Sequence, residues 1–215
     1  ISTDPVGKRD AFALYAAEKK RREEVLARVP VRDGFAQTLA LAADQFIASR
    51  EDGLKTIIAG YHWFADWGRD TMIALPGLCL TTGRAADAKQ ILRAFAKAVS
   101  QGMLPNRFTD DGSGAEYNSV DASLWFFVAV HYYIAQTGDL AFIEREILPA
   151  LREIQQGYEK GTRYGIHQSA EGLLYAGEPG VQLTWMDAKV GDQVITPRIG
   201  APVEINALWY NALRI

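Results

Sequence analysis

Between Trp125 and Val130 the chain reads Trp-Phe-Phe-Val-Ala-Val, and wound as a helix this run presents apolar surface in every direction. Such a helix is stable only where other elements cover it on all sides. The pattern around it, over 118–136, is therefore a helix for the inside of a layered structure. Gly138 follows as a stop signal. Asp139 is placed to cap the next helix, whose apolar positions are Phe142, Ile143, Ile147, Leu151, Ile154 and Tyr158. Pro149 inside that pattern predicts a break near Leu148, and Pro76 predicts another in the segment after Arg69.

The remaining helices are amphipathic. Residues 84–99 carry Ala88, Ile91, Leu92, Phe95, Ala98 and Val99 at helical spacing, after a start signal of Thr81, Thr82 and Gly83. Phe35, Leu39, Ala42 and Phe46 mark an earlier helix opened by Asp33. A first helix over 10–29 is polar through its middle and reads as a connector outside the main core. Strand patterns are short and late, over 163–167 and 173–175 on either side of a turn at Glu171-Gly172, too little for a sheet. Fully apolar helices alternating with amphipathic ones predict an all-α fold of two layers, with the inner helices buried on both sides.

The chain has 215 residues, 48% of them apolar, enough for a core. A net charge of −3 leaves no basic surplus for nucleic acid, and no apolar run approaches the roughly 20 residues that span a bilayer. A single cysteine, Cys79, cannot close an internal disulfide, so a reducing compartment, the cytoplasm, is expected. The chain opens on Ile1 and closes on an apolar-rich helix over 202–215 with no stop signal. It is expected to be a piece of a longer polypeptide.

Chemistry concentrates in Tyr61-His62-Trp63-Phe64-Ala65-Asp66-Trp67-Gly68-Arg69-Asp70, where five of ten residues carry rings and Asp, Arg and Asp are threaded among them. Buried charge is costly unless it is paired or meets a ligand. The mixture suits a polar pocket with flat walls, in which sugar CH faces stack on indole while hydroxyls bond Arg and carboxylates. The alternative is an aromatic turn held by a structural Arg69–Asp70 or Arg69–Asp66 pair, and spacing alone does not separate the two. Each of the five tryptophans has an acid within five residues: Trp125 lies one helical turn after Asp121, Trp185 two before Asp187, and Trp209 five after Glu204.

Thr184-Trp185-Met186-Asp187 stands among turn formers, which predicts an acid presented from a loop at a rim. A carboxyl against an indole is partly desolvated and keeps its proton nearer neutral pH; a loop-capping Asp is the plainer alternative. The loop over 106–118 holds Asp110, Asp111 and Glu116, but its spacing is not that of an EF-hand, so no metal is expected there. His62, His131 and His167 lack metal-ligand spacing, and His131, in an apolar helix, reads as a satisfied core residue. Nucleophile-elbow, P-loop and dinucleotide motifs are missing, and Cys79 has no polar neighbours to activate it. Paired carboxylates remain as the catalytic machinery, with no cofactor.

Four motifs in order, Trp67-Gly68-Arg69-Asp70-Thr71, Asn118-Ser119-Val120-Asp121-Ala122-Ser123-Leu124-Trp125-Phe126, Thr184-Trp185-Met186-Asp187 and Pro202-Val203-Glu204-Ile205, resemble the glucosidase domain of glycogen debranching enzymes, from about Phe35 onward. The first motif is shared in similar form with glucoamylase-type enzymes. The resemblance implies an (α/α)6 toroid of six inner and six outer helices, with 1–32 a connector and 33–215 the N-terminal part of the ring. It implies that Arg69 and Asp70 grip the terminal glucose, that Trp67 and Trp125 shape its subsite, and that Asp121 holds a hydroxyl or orients its neighbours. Asp187 would be the general acid at an α-1,6-linked glucose of glycogen, limit dextrin or maltodextrin. Trp185 would flank that acid, and Glu204 would touch the substrate or stand behind it. The family inverts configuration, with its base C-terminal of these motifs, so this piece alone is expected to be inactive, with the rest of the barrel and a preceding β-rich domain missing. An α-1,4-specific glucoamylase-like hydrolase, a glucan-binding module without catalysis, and a purely structural helical domain are the other readings.

Overall fold

The computed structural model describes residues 10–50, 52–109 and 114–215. Its centre is α5 (Asp121–Thr137), whose Ala122, Leu124, Phe126, Phe127, Ala129, Val130 and Tyr133 are buried. Three helices pack on it: α3 (Gly68–Leu75), α4 (Ala85–Lys97) and α8 (Val203–Arg214). Coverage is incomplete along one stripe, where Trp125, Val128, Tyr132 and Gln136 line a groove of about 390 Å³ with Met72, Ile73 and Leu80. No described element lies over that stripe. His131, expected in the core, is exposed together with Tyr132, Ala135 and Gln136: the all-round apolar character stops at Val130, and the last turns of α5 have an outer side.

Helix ends follow local chemistry. Gly138 closes α5 in the left-handed conformation (φ 65°) and donates its N–H to the Ile134 carbonyl. The Asp139 carboxylate accepts from the Phe142 N–H, opening α6 (Leu140–Phe142), which runs through a π-helical turn at Ile143–Ile147 into α7 (Leu148–Lys160). Pro149 sits in the first turn of α7, where its missing N–H costs little. Pro76 ends α3 in the same way, opening a π-helical turn at Pro76–Leu80. The start of α4 differs from the expected one: Thr81 and Thr82 bond back to carbonyls of that turn, and Arg84 flanks the helix without a side-chain cap.

Among the described residues four two-stranded antiparallel hairpins connect the helices: β1 (Ile47–Ser49) with β2 (Lys55–Ile57), β3 (Arg107–Phe108) with β4 (Ala115–Glu116), β5 (His167–Gln168) with β6 (Leu174–Tyr175), and β7 (Lys189–Val190) with β8 (Gln193–Val194). The strand expected over 163–167 is mostly a 3₁₀ turn, Arg163–Gly165, with Tyr164 at φ 59°. No helix among the described residues is long and apolar enough to cross a membrane.

At the N-terminal end α1 (Ala11–Arg28) buries Val25 alone and packs on α2 (Gly34–Asp44). Asp33 caps α2 as the sequence indicates. Its buried face is Ala40, Ala43 and Asp44, however, while Phe35 is 75% exposed and Leu39 and Ala42 face out. The rotation follows Asp44, whose carboxylate is drawn inward by Arg21 (3.0 and 2.7 Å) and Arg84 (2.6 Å). Burial by itself would raise the Asp44 pKa, but the hydrogen bonds and charge of Arg21, then those of Arg84, hold it below the usual carboxylate range.

Asp44→Ala leaves the nearly buried Arg84 without that partner and lowers unfolding stability by about 3 kcal/mol in urea titration, with α1 cut first by protease. Because the folded pKa of Asp44 is depressed, its contribution is complete above the unfolded value near 4 and is lost as pH falls below it. In the wild type, α1 therefore loosens in acid ahead of the core, which protease sensitivity against pH measures.

Candidate active site

The site is built on a glycine. A Cβ on Gly68 would lie 2.1 Å from the Pro105 carbonyl oxygen, so no other residue fits there without moving backbone. This close approach lets the Gly68 N–H donate to the Asn106 carbonyl (2.7 Å) and lets Trp67 bridge to Arg107. The same strap reaches α5, since the Leu104 N–H donates to Ser123 Oγ (2.8 Å). The first turn of α3 is thus clamped beside the first turn of α5.

A second strap delivers the late loop. The Val120 N–H donates to the Leu183 carbonyl (2.9 Å), and the Tyr158 hydroxyl donates to the Val120 carbonyl (2.8 Å). Thr184 and the rest of the Thr184-Trp185-Met186-Asp187 motif follow at once. At the junction stands Arg69, whose Nε donates to Asp121 Oδ2 (2.8 Å) and Nη1 to Asp187 Oδ2 (2.9 Å), while Nη2 lies 3.4 Å from Ser119 Oγ. Residues 69, 121 and 187, distant in sequence, share one guanidinium. Neither of the structural pairs open at the sequence level is the one made: Asp66 is held by Arg50 and by the Thr56 hydroxyl (3.1 Å), away from Arg69.

Charge at the junction is asymmetric. Asp121 is buried, accepting from Arg69 and, at 2.7 Å, from Ser119 Oγ. The Asp187 side chain is 37% exposed. Asp70, in the first turn of α3, opens to solvent at its edge. Loss of hydration raises the Asp70 pKa against the pull of Arg69, and the carboxylates of Asp187 and Asp121 push it the same way. Arg69 is driven further toward the charged state because the bonds and charge of Asp121, then of Asp187, outweigh its burial. Three carboxylates thus surround one guanidinium, a setting that rejects anions and accepts hydroxyls.

The aromatic residues divide among several tasks. Trp67 precedes the first turn of α3, with Phe64 edge-on at 6.4 Å and the Arg107 guanidinium 5.6 Å from its ring. Trp125 turns into the groove along α5. Trp185 is exposed and its indole contributes, after Arg198, to holding Glu204 below the usual carboxylate range. Glu204 is paired with Arg198, through Nη2 at 2.9 Å and through a second, shorter bond from Nη1. Trp209 does not stand with Glu204: it is a core residue packed near Tyr158, 6.0 Å between centroids. Five residues along α8 turn its ring to the opposite side of the helix. Cys79 is buried with its thiol pushed up to about 12, and so is inert.

Two positioning residues escape the sequence reading. Ser119 accepts from the Ala122 N–H (3.1 Å), as a cap for α5, while its hydroxyl serves Asp121; its place just before a helix was the available signal. Arg198 pairs with Glu204 and donates to Thr184 Oγ1 (3.3 Å), and nothing in its spacing announces that. Among the described residues no cluster of His, Cys, Asp or Glu could hold a metal; Asp110 and Asp111 of the acidic loop lie outside them, and Glu116 pairs with Arg107 (2.7 Å).

Comparison with known proteins bears on this geometry. A family model described as Amylo-alpha-1,6-glucosidase matches residues 41–215. Glycogen debranching enzyme of Saccharomyces cerevisiae is 30% identical over 246 residues, an alignment that takes in 84% of this chain and 16% of the yeast protein. The chain therefore spans well under a fifth of the length of that relative.

Gly68 and Gly77 form a matched pair for testing the clamp. A Cβ at Gly77 meets nothing within 4 Å. Gly68→Ala should lower stability by about 3 kcal/mol or prevent folding, whereas Gly77→Ala should change the urea midpoint by less than about 1 kcal/mol. Equal effects would remove Gly68 from its place as the foundation of the site.

Proposed function

The chain belongs to the amylo-alpha-1,6-glucosidase family, and we propose that it forms the N-terminal part of an (α/α)6 ring that hydrolyses α-1,6 branch linkages of glycogen or limit dextrin with inversion. The observation that carries this reading is the Arg69 junction, where residues from three of the four motifs meet through direct hydrogen bonds. The mostly helical architecture around a central apolar helix supports the ring.

In this mechanism Arg69 and Asp70 take the hydroxyls of the non-reducing terminal glucose, and Trp67 and Trp125 supply flat apolar wall to its CH faces. Asp121 orients Arg69 from beneath. Asp187, on its loop at the rim, protonates the glycosidic oxygen as the bond to the leaving glucan breaks. As it stands, Asp187 accepts a hydrogen bond from Arg69, and an acid must carry a proton. Binding therefore redirects the guanidinium toward sugar hydroxyls and frees Asp187 for its task. Inversion requires a second carboxylate, roughly 6.5–9.5 Å away, to activate water on the opposite face. Asp121 and Glu204 are already engaged with Arg69 and Arg198, so neither is assigned that role. Glu204 holds the loop through Arg198 and Trp185 instead of touching sugar.

In the full-length enzyme, Asp187→Asn should lower kcat on a glucan with single-glucose α-1,6 stubs by about 10²–10⁴-fold, with the circular dichroism spectrum unchanged; an active variant overturns the acid assignment. Faster release from linear maltodextrin than from the stub would replace α-1,6 with α-1,4 specificity.

A further inference from the structure

Asp66 and Trp67 are neighbours in an extended stretch, with Trp67 at φ −104° and ψ 132°, and extended backbone sends successive side chains to opposite faces. Trp67 goes to the Arg107 side. Asp66 goes into a separate cavity of about 430 Å³, within the range of small-molecule sites. The β1–β2 hairpin forms one wall and Phe108 the other, because the Phe108 N–H reaches the Asp66 carbonyl at 3.4 Å.

The chemistry of this cavity is specific. The Arg50 guanidinium carbon lies over the Phe108 ring, 4.0 Å from its centroid, and the guanidinium pairs with Asp66. Its Nε is buried, has no hydrogen-bond partner among the described residues, and stands 3.6 Å from Asp52 Oδ2. Ser49 and Thr56 add hydroxyls, and Ala48, Ile58 and Ala65 supply apolar wall. Two carboxylates stand against the Arg50 guanidinium and the Lys55 ammonium, which donates to Ser49 Oγ (2.8 Å) at the same wall, so the charges balance and an anion or cation gains no net attraction. A sugar hydroxyl is donor and acceptor at once: it can donate to the exposed Asp52 carboxylate and accept from the Ser49 hydroxyl.

From this juxtaposition we infer that the Arg50–Asp66 cavity is a second carbohydrate site, holding a neutral glycosyl unit of an α-glucan other than the one gripped at Arg69. The inference rests on the glucan reading above and extends it. Asp66 lies three residues before Arg69, on the segment that leads into α3, so the cavity and the Arg69 junction share one backbone support.

The test is a maltose titration of the full 215-residue chain, followed by amide NMR. Ser49, Arg50, Thr56 and Asp66 signals should respond, as well as those around Trp67 and Asp187. Ala48→Phe fills the cavity without touching the ion pair and should weaken the first set by about tenfold or more, leaving the second set in place. Thr56→Val, nearly isosteric, removes a hydroxyl and serves should the larger substitution unfold the chain; it should weaken the same set. Responses confined to the Arg69 cluster would overturn the second site and leave the glucosidase reading standing. Full-strength responses in both variants, or none at any residue with maltose in the tens of millimolar, would overturn it too; the stub-hydrolysis assay judges the glucosidase reading separately.

Discussion

The buried guanidinium of Arg69 is the constraint on which the rest of this structure turns. A charge taken out of water needs partners at close range, and the ones it finds come from two places: Asp121 and Ser119 at the start of α5, and Asp187 on the late loop. Satisfying Arg69 therefore fixes where α3, α5 and the 183–187 segment meet. The backbone straps at Asn106 and Val120 bring these segments into range, and the first depends on Gly68 having no side chain. Fold and site are here one problem of desolvation.

That problem accounts for what the sequence shows plainly. The apolar run at 125–130 demands an inside helix, and α5 is one except along the stripe of Trp125 and Val128; Gly138, Asp139, Pro76 and Pro149 end or open helices through backbone chemistry that needs no tertiary context. Three of the four motifs are legible because each pairs costly groups: an arginine or acid near an indole. Which acid meets which arginine is not local, and spacing along one segment pointed to Asp66 and Asp70 as partners for Arg69. The partners chosen lie 52 and 118 residues away, a distance that only the packed straps can close.

The misplaced residues have the same cause. Phe35 and Leu39 look like a buried face by period, yet α2 turns Asp44 inward because two arginines from different elements converge on it. A paired charge overrides an apolar stripe when the stripe has no cover. Trp209, near an acid in sequence, is a core residue because a helix places positions five apart on different sides. Tryptophan–acid proximity in sequence was misleading at Trp209, inside a regular helix.

The loop that carries Asp187 shows how such a site reconciles order with movement. Residues 177–200 hold only Leu183 and Thr184 in the buried class, so apolar packing does little to place the carboxylate. Two arginine pairs do it instead: Arg198 ties Thr184 and Glu204 together on one side, and Arg69 takes Asp187 on the other. Hydrogen bonds to partly exposed charges can be exchanged for equivalent bonds to a polar ligand at small net cost, whereas a packed side chain would have to leave its cavity. A carboxylate positioned by an exchangeable pair, on a loop anchored firmly at Leu183, can yield its arginine to a polar ligand without the helices beneath it moving.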